Sequence, residues 1–375
     1  MAKISMEKLD RNMAGSSPVD ENGLRFYDVH KAPFRVHGVM WESPETPFRR
    51  MPGDVAKTVS AGVETLHYHT SGGRIRFTTN SKTLAIRVQM PTNIKHAVVA
   101  PPLIYGFDVY INNGDTSTYW ESIKAPTEFE YDGYTGKVTF PNNNVRDITL
   151  YMPCYGGLNS IEIGLDAEAT VSEAGNYRHS LPVVFYGSSI TQGAAASRPG
   201  NTYVARVARN LDCDYIDMGF SGNALGELEM ARYLSQLPMS MFVMDYDHNS
   251  PDAAHLKAHH EAFFKEFRKG NPTVPVLMIT RAPMTYHLSN ENGLRCEIIR
   301  TTCENAKAQG DNNVYYLDGR TLFREDLIGF AAKDCTSDRA HPNDLGMFMM
   351  SCAFTKEIAK IMNWPILDTK NQFLK

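Results

Sequence analysis

Two segments in the second half of the chain carry a serine, an aspartate and a histidine at a spacing that suits nucleophilic catalysis. Ser189 follows Gly187 at the end of an apolar run, where a tight turn would expose its hydroxyl. Asp338 precedes His341 by three residues, so its carboxylate can hold the imidazole Nδ1–H and leave Nε2 as a base. A serine hydroxyl needs such a base before it can attack a carbonyl. Taken singly, these residues also fit a capped glycine turn and an acidic loop before the last helix.

Two further loops offer hydrogen-bond donors for the negative charge that such an attack creates. The glycine-rich stretch 218–223 contains Gly222, whose backbone amide can face an oxyanion. The stretch 245–249 ends in Asn249, whose side-chain amide can donate where a carboxylate could not. His248 beside it is an alternative donor, and the Ser189 amide would complete the set. Each loop also has a structural interpretation, as a flexible connection at Gly222 and as an Asx turn at Asn249.

Histidines and aromatic residues elsewhere are weaker candidates for binding. His67 and His69 would share one side of a strand, but no third metal ligand accompanies them, and an exposed face is the simpler interpretation. A second histidine group has helical spacing but lacks the His-Glu-x-x-His order of zinc proteases, which favours a solvated helix face. Its members are His255, His259 and His260. Four aromatic residues of the first half predict either a sugar platform or ordinary sheet packing: Tyr119, Trp120, Tyr131 and Tyr134. We expect no metal and no organic cofactor.

The elements that must position the Ser-His-Asp group are buried strands alternating with helices after about residue 175. The predicted strands are the apolar runs 183–185, 215–218, 241–244, 276–279 and 314–317. The predicted helices lie at 203–211, 225–234, 253–268, 291–309 and 344–362. This alternation predicts an α/β domain over 176–375, with an open parallel sheet covered on both faces. Ligands of such sheets bind beyond the carboxyl ends of the strands, where the candidate residues lie.

The first half of the chain has a different pattern. Apolar and polar residues alternate with a period of two in 74–77, 84–90, 148–152 and 161–165, which is typical of half-buried strands with one solvated face. Glycine and asparagine turns separate these strands. The sequence therefore predicts an all-β sandwich or jelly roll over 1–175.

Composition excludes several classes of protein. A net charge of −4 gives no basic surplus for nucleic acid, and no apolar run approaches the roughly 18 residues of a membrane helix. The amino-terminal residues lack the apolar core of a signal peptide, so we expect a cytoplasmic protein unless a leader has been removed. The six cysteines show no CxxC spacing and are expected to be buried free thiols.

In order and spacing, the four segments resemble the signature blocks of the SGNH (GDSL-like) hydrolase family over about residues 181–363. The resemblance implies Ser189 as the nucleophile with His341 and Asp338, and Ser189, Gly222 and Asn249 as oxyanion-hole donors. The stretch 106–110, Gly-Phe-Asp-Val-Tyr, resembles the Gly-x-Asp-Leu-Tyr signature of a β-sandwich domain. That domain precedes SGNH domains in some bacterial carbohydrate-active esterases.

Two positions depart from the family pattern. Ser188 stands where the family has an aspartate before the nucleophile, a position that the chemistry does not require. The third block lacks the usual Gly-x-Asn-Asp, which is why His248 stays an alternative to Asn249.

The resemblance implies a serine esterase that removes acetyl or other small acyl groups from carbohydrate. Its expected partner is a small-molecule or oligosaccharide ester. The alternatives are a lipid or aryl esterase, an acyltransferase of the same fold, or a carbohydrate-binding protein with an inactive hydrolase domain.

Overall fold

The structure is a computed structural model of the chain. It describes residues 9–10, 13–15, 19–91, 96–126, 133–283, 291–323, 332–367 and 372–374. The chain forms two compact units, the first comprising 1–49 and 68–175 and the second 50–67 and 176–375. The sequence pattern predicts 50–67 as part of the first domain, whereas this segment packs with the second. The reason is that its apolar residues, Met51, Ala56 and Val63 among them, belong to the core of the second unit.

The first unit contains two antiparallel sheets, as the alternating pattern predicts. Strands β1 (Leu24–Asp28), β9 (Ser160–Asp166), β4 (Thr83–Gln89) and β7 (Tyr134–Thr139) form one sheet in that order. The second sheet has the order β10 (Val171–Ser172), β3 (Arg74–Thr79), β8 (Arg146–Tyr151), β5 (Phe107–Asn113) and β6 (Thr116–Ile123), and β2 (Arg35–His37) also pairs with β3. The described helix of this unit is α3 (Pro101–Tyr105).

The second sheet differs from the expectation of one solvated face. Arg74 and Arg76 on β3 are both buried, and so are Thr149 and Tyr151 on the neighbouring strand. A buried guanidinium requires a compensating charge or hydrogen bonds. Asp147 lies 3.6 Å from Arg76 and provides that charge. Two-residue alternation shows which side chains share a face, but it cannot show whether the polar face is covered.

The second unit is built around a five-stranded parallel sheet. Its strands are β11 (His179–Gly187), β12 (Cys213–Gly219), β13 (Met241–Asp245), β14 (Val276–Ile279) and β15 (Val314–Leu317), in the spatial order β12-β11-β13-β14-β15. Every pairing between neighbours is parallel. These strands include all five apolar runs singled out in the sequence, so the predicted parallel sheet is confirmed.

Helices cover both faces of this sheet and give the predicted three layers. The helices of the second unit are α1 (Gly53–Val59), α2 (Ala61–Leu66), α4 (Ser189–Gln192), α5 (Tyr203–Leu211), α6 (Leu228–Ser235), α7 (Ala253–Gly270), α8 (Asn292–Ala308) and α9 (Asp344–Met362). On one face Phe185 contacts Tyr203 of α5, which contacts Phe354 of α9. On the other face, α6, α7 and α8 share a core with the strands. Within the described residues, no helix is both long and apolar enough to cross a bilayer.

Candidate active site

Three neighbouring strands end side by side at the edge of the sheet that carries the candidate residues. Gly187 at the end of β11 pairs with Gly219 on one side and with Asp245 on the other. The chain then turns directly into α4, whose first residue is Ser189. Ser188 is the N-cap of this helix, and its hydroxyl accepts a hydrogen bond from the Ile190 amide at 3.2 Å. An aspartate is an equally good N-cap, which explains why serine can stand at this position of the family pattern.

The structure brings Ser189, His341 and Asp338 into one hydrogen-bonded line. His341 Nε2 lies 3.0 Å from Ser189 Oγ, and His341 Nδ1 lies 2.7 Å from Asp338 Oδ2. Both distances are within hydrogen-bond reach. With Asp338 accepting from Nδ1–H, Nε2 is left to accept the serine proton. The histidine and aspartate side chains are about one-quarter exposed, so a substrate can reach them from solvent.

The loop that carries the histidine is folded around Asp338. Its Oδ1 accepts hydrogen bonds from the amides of Ala340 at 3.0 Å and His341 at 2.7 Å. Partial burial favours the protonated acid, but the hydrogen bonds from the His341 ring and these two amides outweigh it and lower the pKa of Asp338. The carboxylate of Asp338 is therefore charged at neutral pH.

Two contacts join the histidine loop to the loop that follows α4. The Ala195 amide donates to the Pro342 carbonyl at 2.8 Å. Asp344, at the start of α9, accepts from the Ser197 amide at 2.8 Å and from its hydroxyl at 2.6 Å. These contacts hold His341 opposite Ser189. Sequence reasoning missed Asp344 and Ser197, because nothing local indicates that residues 147 positions apart meet.

The structure places Gly222 and Asn249 on loops that contact each other. Gly222 has a positive φ of 70°, a conformation that favours glycine, and it is exposed. Among the described residues, the structure shows no acceptor for its amide. Asn249 Nδ2 donates to the Phe220 carbonyl at 2.9 Å, two residues before Gly222. One amide hydrogen of Asn249 thus holds the Gly222 loop, and a carboxamide has a second hydrogen to offer.

His248, the alternative donor, faces elsewhere. Its Nε2 lies 3.2 Å from the amide of Ala282, three residues after β14, and its Nδ1 is buried. An imidazole nitrogen that accepts a hydrogen bond from a backbone amide cannot donate to an oxyanion. The geometry therefore favours Asn249 over His248.

Gln192 is a further residue that sequence reasoning missed. It lies in α4, three residues after Ser189, and its side chain is fully buried. Its Oε1 accepts a hydrogen bond from the Ser221 amide at 2.9 Å. The helix that begins with Ser189 thus also holds Ser221, the residue before Gly222. This contact fixes the Gly222 loop relative to Ser189.

Two family models match the chain. Residues 180–359 match the GDSL-like lipase/acylhydrolase family. Residues 24–171 match the N-terminus of SGNH-hydrolase-type esterases, the GxDLY domain. The protein belongs to the GDSL-like (SGNH) hydrolase family. The resemblance seen in the sequence is confirmed, and the chain joins a family of ester hydrolases. A search of curated proteins finds none that matches this chain.

Solved structures share the fold of this SGNH hydrolase over most of its length. A protein described as a GDSL-like lipase from Bacteroides ovatus ATCC 8483 is 24% identical with a TM-score of 0.79, over 92% of this chain and 99% of that one. The salicylyl-acyltransferase SsfX3 from a tetracycline biosynthetic pathway is 20% identical with a TM-score of 0.74, over 92% and 99% of the two chains. A family two carbohydrate esterase from Clostridium thermocellum is 13% identical with a TM-score of 0.63, over 89% and 100%.

A buried carboxyl group, that of Asp245, contacts the helix that begins with Ser189 in this SGNH hydrolase. Asp245 at the end of β13 accepts a hydrogen bond from the Tyr203 hydroxyl at 2.7 Å, and the Thr191 hydroxyl lies 3.3 Å away. Burial raises the pKa of Asp245 to about 7, although these two hydrogen bonds oppose the shift. Asp245 therefore links β13 to α4 and α5 through hydrogen bonds, and its burial makes the ionised form of the carboxyl group unfavourable.

We expect the stability of the protein to depend on pH through Asp245. The native state keeps a proton that the unfolded chain releases near 3.8, so the contribution of Asp245 to the free energy of unfolding should fall as the pH rises from about 4 to about 7 and then level off. The full effect is at most about 4 kcal/mol. Denaturant unfolding of wild type and Asp245→Asn at several pH values measures the effect. The free energy of unfolding of the variant minus that of wild type should increase over that range. D115N, which alters an exposed turn, should follow the wild-type curve, and parallel curves for D245N would contradict the prediction.

The other histidine candidates do not form a site in the described residues. His67 is the C-cap of α2 and is buried, while His69 lies on an isolated bridge with Gly157, so the predicted common strand is wrong.

The helical histidine group is not a fully solvated face, so that interpretation is wrong. His260 is buried, with Nδ1 3.0 Å from the Thr302 hydroxyl, because α7 packs against α8 there. Burial lowers the pKa of His260 to about 3. His255 and His259 stack on each other with ring centroids 3.9 Å apart. No group of three or more metal-ligating side chains occurs in the described part of the chain.

The aromatic residues of the first unit divide between surface and interior. Tyr119 and Trp120 on β6 are 39% and 37% exposed, and the Trp120 indole donates to the Thr139 carbonyl at 3.2 Å. Tyr134 is buried, with its hydroxyl bonded to the Tyr105 carbonyl at 2.6 Å. Tyr131 lies outside the described residues. All six cysteines are buried and unpaired, as predicted.

Proposed function

We propose that this SGNH hydrolase is a serine esterase that removes acetyl or other small acyl groups from carbohydrate through an acyl-enzyme intermediate. The observation that carries the proposal is the line of hydrogen bonds from Ser189 through His341 to Asp338, at 3.0 and 2.7 Å. A serine, a base and an orienting carboxylate are the three parts that covalent acyl transfer needs. The site sits where ligands of open parallel sheets bind.

In the proposed first step, Ser189 Oγ attacks the ester carbonyl carbon while His341 Nε2 takes the hydroxyl proton. Asp338 stabilises the imidazolium that forms. The tetrahedral intermediate collapses, the carbon–oxygen bond to the alcohol breaks, and His341 returns the proton to the departing alkoxide. In the second step water attacks the acyl carbon while His341 takes a proton from the water. The bond from the acyl carbon to Ser189 Oγ then breaks, His341 returns the proton to Oγ, and the carboxylic acid leaves.

The proposed oxyanion hole consists of the amides of Ser189 and Gly222 and the side chain of Asn249. Gly222 is an exposed residue, and Asn249 is fixed by its contact with Phe220. Donors that are already in place when charge develops contribute most, about 100- to 1000-fold each. This chemistry requires no metal or organic cofactor.

Carbohydrate is the proposed alcohol because of the two-domain arrangement and the open site. The Clostridium thermocellum carbohydrate esterase has the same fold over its full length, including the β domain. The partly exposed His341 and Asp338 side chains leave room for a bulky alcohol to project into solvent while a small acyl group enters. Tyr119 and Trp120 are exposed aromatic faces of the kind on which sugars stack.

Hydrolysis of p-nitrophenyl acetate, butyrate and octanoate, and then of acetylated oligosaccharides, tests the proposal. We expect kcat/KM to fall as the acyl chain lengthens, and acetylated sugars to be better substrates than simple acetate esters. Preference for octanoate would instead indicate a lipid or aryl esterase. No turnover of any ester would indicate a carbohydrate-binding protein with an inactive hydrolase domain.

A second candidate function is acyl transfer to an alcohol other than water. It is favoured by the acyltransferase SsfX3, whose fold matches this chain with a higher TM-score than the carbohydrate esterase has. The same acyl-enzyme would serve both reactions. Product analysis in the presence of an alcohol acceptor separates them: an esterase releases free acid, whereas a transferase yields the new ester in preference.

A further inference from the structure

A segment from the amino-terminal half of the sequence is part of the second unit. Residues 50–67 contain α1 and α2, and α1 packs against α6 of the α/β domain. Met51, Ala56 and Val63 share the core of that domain with Ala224 and other residues. The segment therefore belongs to the hydrolase domain, although more than a hundred residues of β structure separate it from the rest of that domain in the sequence.

Arg50, the first residue of this segment, binds the end of strand β12. Its guanidinium donates hydrogen bonds to the carbonyls of Gly219 and Asp217, the latter at 3.2 Å, and to the Leu66 carbonyl at 2.8 Å. It also lies over the ring of Phe220, with 4.4 Å between the guanidinium carbon and the ring centroid. Arg50 is 3% exposed. Arg50 therefore joins the end of α2, at Leu66, to the backbone at Asp217 and Gly219, shortly before Gly222.

Gly62 of α2 contacts the other side of the same loop. A methyl group built at Gly62 would overlap the side-chain amide of Asn223, the residue after Gly222. The amide of Asn223 in turn donates to the Ser221 carbonyl at 2.7 Å. Gly62 therefore leaves the space that Asn223 needs to hold the turn around Gly222.

We propose that Arg50 and Gly62 are positioning residues for the oxyanion-hole loop 220–223. Gln192 and Asn249 hold this loop through Ser221 and Phe220. The 50–67 segment contacts it through Arg50, at Gly219 and Phe220, and through Gly62, at Asn223. A displacement of about 1 Å in a catalytic group can cost about 100-fold in rate, so a residue that touches no substrate can control turnover from this position. This inference rests on the proposed esterase function.

The test is the variant Gly62→Ala, with Gly293→Ala as its matched control. Gly293 lies in α8, and a methyl group there meets no neighbour. We expect G62A to lower kcat for p-nitrophenyl acetate by about 10- to 100-fold with KM changed less than about threefold, because the displaced donor acts mainly on the transition state. G293A should match wild type in both constants.

A double variant separates positioning from general destabilisation. Asn223→Ala removes the group that a methyl at residue 62 would strike, so G62A/N223A should be no slower than N223A alone. Arg50→Lys provides an independent perturbation, since lysine cannot make the forked set of hydrogen bonds and should also lower kcat. Amide hydrogen exchange of the peptide 213–224 should rise in G62A and R50K, whether or not an ester substrate is found.

The outcomes distinguish this inference from the proposed function. Wild-type turnover with unchanged kcat in G62A, or effects of G62A and N223A that multiply independently, would overturn the positioning role and leave the esterase intact. Failure of wild type to hydrolyse any ester would overturn the proposed function. In that case hydrogen exchange decides: faster exchange in G62A supports the control of the loop by the segment, and unchanged exchange overturns it.

Discussion

Replacement of Ser189 by alanine is expected to reduce ester hydrolysis by about 10⁴- to 10⁶-fold. The variant removes the hydroxyl that we propose forms the acyl-enzyme, while its neighbours keep their places. The expected residual activity comes from substrate binding and the oxyanion hole, which still stabilise direct attack by water. Steady-state hydrolysis of p-nitrophenyl acetate by wild type and S189A, with unfolding curves to show equal folding, measures the effect.

The adjacent serine provides a matched control. Ser188 caps α4 through the Ile190 amide, so Ser188→Ala should cost about 1 kcal/mol of stability and change turnover less than about tenfold. If S188A lost as much activity as S189A, or if S189A kept near-wild-type turnover, the assignment of the nucleophile would be wrong.

Replacement of Asp338 by asparagine is expected to lower kcat by about 10⁴-fold. The carboxylate oxygen that lies 2.7 Å from His341 Nδ1 fixes the ring with its proton on that nitrogen. An asparagine amide at this place can donate to Nδ1, which stabilises the opposite tautomer and leaves Nε2 protonated and unable to accept from Ser189. The asparagine oxygen can still accept the Ala340 and His341 amides that shape the loop.

Asp338→Glu is the informative comparison for that variant. It keeps the negative charge but moves it by one methylene, so D338E should retain more activity than D338N. Measurement of kcat for both variants near neutral pH checks the order. A D338N enzyme within about tenfold of wild type would show that the carboxylate is not the orienting group.

The parts of this structure that the sequence predicts are those governed by local pattern. The five buried strands of the second unit are short apolar runs bounded by turn residues, and each forms a strand. Helix α9 starts and ends at the predicted residues because Asn343 caps its first turn and Asn363 takes a left-handed conformation after the last. Ser189 is predictable as a candidate because its turn follows an apolar run, and Asp338 and His341 because their loop precedes the last helix and the family pattern specifies this order. The structure brings the three side chains together.

The parts that could not be predicted depend on contacts between distant segments. Residues 50–67 were interpreted with the β half because strands surround them in the sequence. The available helix signals, Ser60 as N-cap and the spacing of Val55, Val59 and Val63, indicate helices but not where they pack. The burial of the β3 arginines and of His260 is unpredictable for the same reason. Alternation and helical spacing show which side chains share a face, but packing against another element decides whether that face is covered.

Covalent labelling with a fluorophosphonate ester probe, followed by peptide mapping, tests directly whether Ser189 is the nucleophile. Such a probe is attacked by an activated serine and leaves a stable adduct in place of the acyl-enzyme. We expect about one adduct per chain, on the peptide that contains Ser189. The adduct should be absent in S189A and should form much more slowly in D338N. Labelling of another residue, or ester hydrolysis by a protein whose Ser189 stays unlabelled, would contradict this role of Ser189.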